Sequence, residues 1–306
     1  MLRIYTHEDC LKHLVPEHHP ECPARLAFLI EHLERSGFTK DYPLQVAPQI
    51  GKVLMGHAHD ATLIHQLTER IPEAGLIPID PDTWISPKSL IAARYAAGAV
   101  WQGVQDVMTG EATRVFCAVR PPGHHAESGS PMGFCLLNSI AIAAINALAL
   151  PGVQRVAVLD FDVHHGNGTV EMCRTHPEIL VCSSFQHPFY PGRYHDLVQS
   201  NIVNTPLDAG IAGDTFRRAI EASWWSAIQS HQPDLILVSA GFDGHREDPV
   251  GNWNLEDDDY GWVTAEIVAL ADHYSSGRVV SVLEGGYDLN ALARSALVHL
   301  ETLASV

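Results

Sequence analysis

Short apolar runs alternate with longer amphipathic segments along almost the whole chain. Arg3–Tyr5, Val115–Val119, Val156–Leu159, Ile179–Ser183, Leu235–Ser239 and Val279–Leu283 are rich in Val, Ile and Leu and lack the polar alternation of a wet face. Such runs predict strands of a parallel sheet buried on both sides. Ala24–Ser36, Pro87–Met108, Asn138–Ala149, Asp214–Ser230, Asp257–Tyr274 and Leu289–Leu303 carry helical patterns. In the fourth, Phe216, Ile220, Trp224 and Ile228 fall on one stripe, and Asp214 is the expected cap. Trp224 and Trp225 are expected to pack. Strands alternating with helices predict an open α/β sheet with helices on both faces. No repeat, low-complexity tract or linker interrupts the pattern, so one domain over 1–306 is expected.

Polar chemistry collects where the apolar runs stop. "DFDVHHGNG" follows Val156–Leu159, "GFDGH" follows Leu235–Ser239, "EGGYD" follows Val279–Leu283 and "RPPGHH" follows Val115–Val119. Ligands of open α/β sheets bind outside the carboxyl ends of the strands, so four such ends point at one rim. Asp162 and His164 are two apart and project to the same side of extended backbone. With Asp243 as third ligand they would hold one cation and leave positions open for water and substrate. Zn²⁺ suits this set, and Fe²⁺, Co²⁺ or Mn²⁺ would also be accepted. The paired His124 and His125 can move a proton to and from a reacting group, with Asp160 or Asn167 as orienting partner for each. Tyr287, after two glycines, can donate to a carbonyl oxygen as it gains charge.

The 306 residues are 46 % apolar and 18 % charged, and the net charge is −17. That balance argues against a nucleic-acid partner and suits a cationic one. No apolar run approaches the roughly 18 residues of a membrane span, so no membrane partner is expected. "MLRIYTHEDC" lacks the apolar core of a signal peptide, and the six cysteines form no CxxC pair. A reduced, cytoplasmic protein is therefore expected. Oligomeric state leaves no signature in the sequence.

"RPPGHHA", "GFCLLN", "DFDVHHGNGT", "SAGFDGH" and "LEGGYDL", in this order and spacing, resemble the zinc-dependent histone deacetylase family, which includes acetoin-utilisation proteins and acetylpolyamine amidohydrolases. "HHPECPARL" is similar to that family's N-terminal signature, and Asn167 after "HHG" resembles a class II-like, bacterial-type member. The resemblance implies the arginase/deacetylase fold, a single domain with a largely parallel eight-stranded sheet. It implies Asp162, His164 and Asp243 as ligands of one Zn²⁺, with Fe²⁺ or Co²⁺ as substitutes. His125 would be the general base, Asp160 would orient His124, Asn167 would accept from His125, and Tyr287 would polarise the scissile carbonyl. Gly133, Phe134 and Tyr190 would line a tunnel with Asp82 at its rim, and Arg25 would face an internal acetate channel. A structural K⁺ would contact Asp160, Asp162, His164, Ser183 and Ser184. The implied activity is removal of acetyl or another acyl group from an amine by activated water.

Two features depart from the family pattern. Arg193 and Tyr194 stand where Thr-Gly commonly follows "YPG", and Glu127–Met132 is short. Val250 occupies the family's gatekeeper position, where an apolar residue points to acyl-lysine or a small acetylated amine. The run Glu256–Asp259 and the net charge pull towards an acetylpolyamine, although such a run also suits a helix N-terminus. Ureohydrolases need bridging carboxylates where this chain has Gly166 and His245, so a single metal is expected. A non-catalytic acetyl-amine binder would not need the histidine pair or Tyr287.

Overall fold

The computed structural model describes residues 1–305. Ten strands form: β1 (Leu2–Thr6), β2 (Leu44–Val46), β3 (Ile77–Pro78), β4 (Trp84–Ile85), β5 (Arg114–Cys117), β6 (Val156–Asp160), β7 (Ile179–Gln186), β8 (Ile202–Leu207), β9 (Leu235–Ala240) and β10 (Val279–Leu283). Eight of them make one sheet in the order β2-β1-β5-β10-β9-β6-β7-β8. Every pairing in it is parallel. β3 and β4 form a separate antiparallel pair. The unbroken apolar runs are explained by burial: every residue of β5, β6, β7, β9 and β10 is buried.

Helices cover both faces. Ser89–Thr109, Ser139–Ala147 and Asn167–Cys173 pack on one; Pro23–Ser36, Gly213–His231, Asp257–Tyr274 and Leu289–Ala304 pack on the other. Among the described residues no helix is long and apolar enough to cross a membrane. All six cysteines are free. Trp224 is fully buried and donates from Nε1 to Thr205 Oγ1 at 3.2 Å, while Trp225 lies beside Trp262.

One expected cap is different. The helix begins at Gly213 with Ala212 as N-cap, and Asp214 lies inside its first turn. A Cβ at Gly213 would overlap the Asp259 carboxylate, so glycine at the start lets that side chain lie close. Asp214 still complements the positive end of the helix dipole. The acidic run Glu256–Asp259 opens the helix Asp257–Tyr274. Glu256 and Asp259 form a reciprocal capping box there, and Asp257 and Asp259 pair with Arg294 and Arg217.

The sheet order matters most for function. β5, β10, β9 and β6 are consecutive neighbours. The four polar segments singled out in the sequence therefore leave adjacent central strands at the same edge.

Candidate active site

Asp162 and His164 lie on the turn that leaves β6, and Asp243 on the turn that leaves β9. His164 Nδ1 stands 3.1 Å from both Asp162 Oδ1 and Asp243 Oδ2. One donor atom from each of the three lies within 4.8 Å of the others, and all three residues are buried. Among the described residues this is the one such group. Backbone amides fix both carboxylates: Gly285 N donates to Asp162 Oδ2 at 2.9 Å, and Val163 N donates to Asp243 Oδ1 at 3.0 Å. Burial opposes charge on His164, yet its bonds to Asp162 and Asp243 lift the imidazole to about 10. Burial and the Asp162 charge push Asp243 up. Two buried carboxylates around one nitrogen thus demand a positive charge between them, and a divalent cation meets that demand with a third ligand at hand. The donor set fits a metal. Gly166 leaves no side chain beside it, because a Cβ there would overlap Asp160 Oδ2. His245 instead lies 3.4 Å from Asp257. No bridging carboxylate stands at either position.

The loop after β5 brings His124 and His125 alongside, with ring centroids 4.0 Å apart. Asp160 Oδ2 lies 2.9 Å from His124 Nδ1, and Asn167 Oδ1 lies 2.8 Å from His125 Nδ1. Burial opposes a charged His124, but Asp160, Asp162 and Glu284 raise it well above the usual imidazole value. Burial, then the neighbouring His124 and His164, hold His125 well below that value. Adjacent imidazoles are therefore pushed apart, one towards the cation and one towards the neutral ring. Such a split is a means of assigning acid and base roles.

A cavity of about 200 Å³ opens onto these groups, lined by Asp82, His125, Gly133, Phe134, His164, Phe189, Tyr190, Val250 and Tyr287. All five residues expected along the substrate path are in that lining. Phe189, which no sequence motif marks, stacks on His164 with centroids 5.1 Å apart. Phe134 takes a positive φ of 68°, and a Cβ at the preceding Gly133 would stand 2.5 Å from the His125 ring. That close approach explains the glycine. Burial, then the charge of Asp243, raises the Tyr287 phenol well above its ordinary value, so it stays a donor at neutral pH.

Further residues hold the site without facing the cavity. Glu284, at the end of β10, accepts from Gly123 N at 2.7 Å and His124 N at 3.1 Å, and from Ser239 Oγ at 3.2 Å. Burial pushes its carboxyl up to about 7. Asp248 accepts from Tyr287 N at 2.6 Å and Val250 N at 2.9 Å, tying the phenol loop to the cavity wall. Asn138 caps the helix Ser139–Ala147 through Oδ1 and donates from Nδ2 to the carbonyls of His124 and Ala126. None of these three is marked by a sequence motif, since each acts on backbone N–H or C=O groups, which carry no residue-specific signature. Arg25 is fully buried, donating to Glu284 O and Gly286 O at 2.6 Å each and to Glu21, with its guanidinium 4.8 Å from the Tyr287 ring centroid. Asp160 and Ser183 are register partners on β6 and β7, and Ser184 Oγ donates to Asp160 O at 3.4 Å. Asp160, Asp162, His164, Ser183 and Ser184 are all buried.

The histone deacetylase domain matches residues 19–303. An uncharacterised protein of Synechocystis is 38 % identical, covering 99 % of both chains. A histone deacetylase-like amidohydrolase of Pseudomonas aeruginosa is 33 % identical over 94 % of this chain and 77 % of its own. The crystal structure of the HDA15 HD domain superposes with a TM-score of 0.91 at 30 % identity, covering 99 % of this chain and 87 % of that one. A domain match over nearly the full length, on a sheet whose central strand ends gather this polar cluster, means that the chain belongs to the histone deacetylase family and is a hydrolase of the deacetylase class.

Proposed function

We propose that the chain hydrolyses an acylated amine, acyl-lysine or a small acetylated amine, using one Zn²⁺ held by Asp162, His164 and Asp243. Fe²⁺ or Co²⁺ would substitute. The observation that carries this reading is the cavity of about 200 Å³, whose Phe134, Phe189, Tyr190 and Val250 walls lead to His125, His164 and Tyr287. Apolar walls suit an alkyl chain, and the polar groups suit the amide it carries.

When bound, such a metal supplies Lewis acidity, polarising the acyl carbonyl and bringing the pKa of a water from 15.7 to about 7. The side chains do the rest. His125 takes a proton from the attacking water. The Tyr287 hydroxyl donates to the carbonyl oxygen as negative charge builds there. Asp160 holds the His124 ring beside His125, and the histidine pair gives a proton to the amine nitrogen as the C–N bond breaks. The carboxylic acid and the free amine are the products. In the same reading Asp160, Asp162, His164, Ser183 and Ser184 hold a structural K⁺, mainly through backbone oxygens.

Val250 supports acyl-lysine over an acetylpolyamine, because a second substrate ammonium at that wall would call for a carboxylate. The acidic run Glu256–Asp259 gives the polyamine reading little support, since Glu256, Asp257 and Asp259 are engaged at a helix start by a capping box and by arginines. Parallel kcat/KM values on acetyl-lysine peptides, longer acyl-lysines, acetylputrescine and acetylspermidine test the proposal. The lysine substrates are expected to lead. No turnover of any of them by fully zinc-loaded protein would overturn it.

A further inference from the structure

Asn167 poses a problem that an aspartate in its place would not. A carboxylate can only accept, so it would force the proton onto His125 Nδ1. A carboxamide has an accepting end and a donating end of nearly the same shape. Left to itself, Asn167 can turn either end to His125, and the imidazole can then carry its proton on either nitrogen. Only one of those tautomers leaves Nε2 free to take a proton.

We propose that Glu127, anchored by Arg193, is a positioning residue that sets the tautomer of His125 through the Asn167 amide. This rests on the reading of His125 as the base. Glu127 Oε1 accepts from Asn167 Nδ2 at 2.8 Å, and His125 O accepts from the same nitrogen at 3.2 Å. A backbone carbonyl can only accept, and so can Glu127 as the carboxylate that Arg193 pairs with, so the NH₂ end of Asn167 is committed to them. Its Oδ1 is then committed to His125 Nδ1, 2.8 Å away, which must donate. Glu127 is itself held twice. Arg193 Nη2 lies 2.9 Å from its second carboxylate oxygen. Its backbone N donates to Ser130 O at 2.9 Å, closing a tight turn. The short Glu127–Met132 segment and the Arg193 substitution, the two departures from the family pattern, thus meet in one ion pair. Its effect runs inward along Arg193, Glu127, Asn167 and His125. Glu127 lies outside the lining of the cavity and acts only through Asn167.

The test combines kinetics with a direct reading of the tautomer. In zinc-loaded full-length protein acting on an acetyl-lysine peptide, Glu127→Gln is expected to lower kcat about tenfold with KM within about twofold. Adding Asn167→Asp is expected to restore kcat to within about threefold of wild type, because a carboxylate needs no partner to enforce acceptance. A merely structural role for Glu127 predicts no such rescue. The side chain of Arg193 is half exposed, so Arg193→Met keeps the fold and gives a smaller loss that Asn167→Asp also repairs. Imidazole ¹⁵N shifts of metal-free protein, with His125→Ala as the difference reference, read the tautomer without turnover. The Nδ1-protonated form is expected in wild type and a mixture in Glu127→Gln. An inactive wild type with these shifts would count against the functional reading alone. Wild-type kcat in Glu127→Gln, a loss that Asn167→Asp does not repair, or an unchanged His125 tautomer would each overturn the inference.

Discussion

Replacing Tyr287 by Phe deletes one O–H and little else, and so isolates the role assigned to that phenol. The ring keeps its setting: the Arg25 guanidinium lies 4.8 Å from its centroid and Phe134 5.9 Å, and Asp248 holds the residue through its backbone N at 2.6 Å. Since, among the described residues, no hydrogen bond from the hydroxyl to another protein group anchors the loop, Tm is expected to stay within about 2 °C of wild type. Zinc per chain is expected to be unchanged, because Tyr287 is not among the three residues proposed to hold it. What disappears is a donor at the oxygen where charge develops. Single oxyanion donors are worth about 2.7–4 kcal/mol, which is a fall of roughly 10²–10³ in kcat. The ground-state carbonyl carries far less charge, so KM should move by no more than about threefold. The phenol is raised well above its ordinary value by burial and by Asp243, so removing it should leave the neutral part of the pH–rate profile unaltered in shape. Steady-state rates on a fluorogenic acetyl-lysine peptide, with zinc content measured on the same samples, give the answer. A kcat within about fivefold of wild type at equal zinc occupancy would refute the oxyanion role. A matching loss of zinc would show that the variant had disturbed the metal centre instead.

A Cβ at Gly285 would overlap Asp243 Oδ2 and stand 2.6 Å from Asp162 Oδ2, so Gly285→Ala is expected to weaken zinc binding by about tenfold or more, as competitive chelation would measure. Val250→Glu puts a carboxylate in the cavity wall and should shift relative kcat/KM from acetyl-lysine towards acetylspermidine by roughly tenfold, the equivalent of about 1.4 kcal/mol; an unchanged ratio would remove Val250 from specificity. Burial holds His13 and His299 down to about 3 and His59 to about 4, below the roughly 6.5 of an unfolded histidine. The unfolded chain therefore binds more protons, and the stability from each is full above pH 6.5 and lost as pH falls towards the folded value. At pH 5 the loss is about 2 kcal/mol per residue, so in denaturant titrations His299→Gln should shrink the pH 7-to-5 decline by that amount.

What the sequence made legible was chemistry tied to local order. Asp162 and His164 sit two apart on one turn, His124 and His125 are adjacent, and Tyr287 follows two glycines, so each fragment announced itself at short range. Their convergence was readable because parallel strands end at one edge of a sheet, and neighbouring positions for β5, β10, β9 and β6 completed it. The residues that hold those fragments carry no such mark. Glu284 reaches Gly123 and His124, which are 161 and 160 residues away, and it does so through backbone N–H groups that every non-proline residue possesses. Asp248 reads as an ordinary turn carboxylate after "HRE", although its other oxygen fixes Tyr287 39 residues on. The missed strands fail for a related reason. β2 is three residues long at a sheet edge, β3 and β4 have only two residues each, and β8 contains Asn204 and Pro206, so none shows the apolar run that marks a central strand. Asp214 is not the cap because the helix starts one residue earlier, at Gly213, against Asp259, a carboxylate from another helix. In each case the deciding partner lies far off in the chain. A sequence pattern therefore locates the polar groups that gather at such a cavity more readily than the groups that aim them. That is why Glu127, a plain acidic residue in a short loop, shows its reach towards His125 only when Asn167 and Arg193 are in place around it.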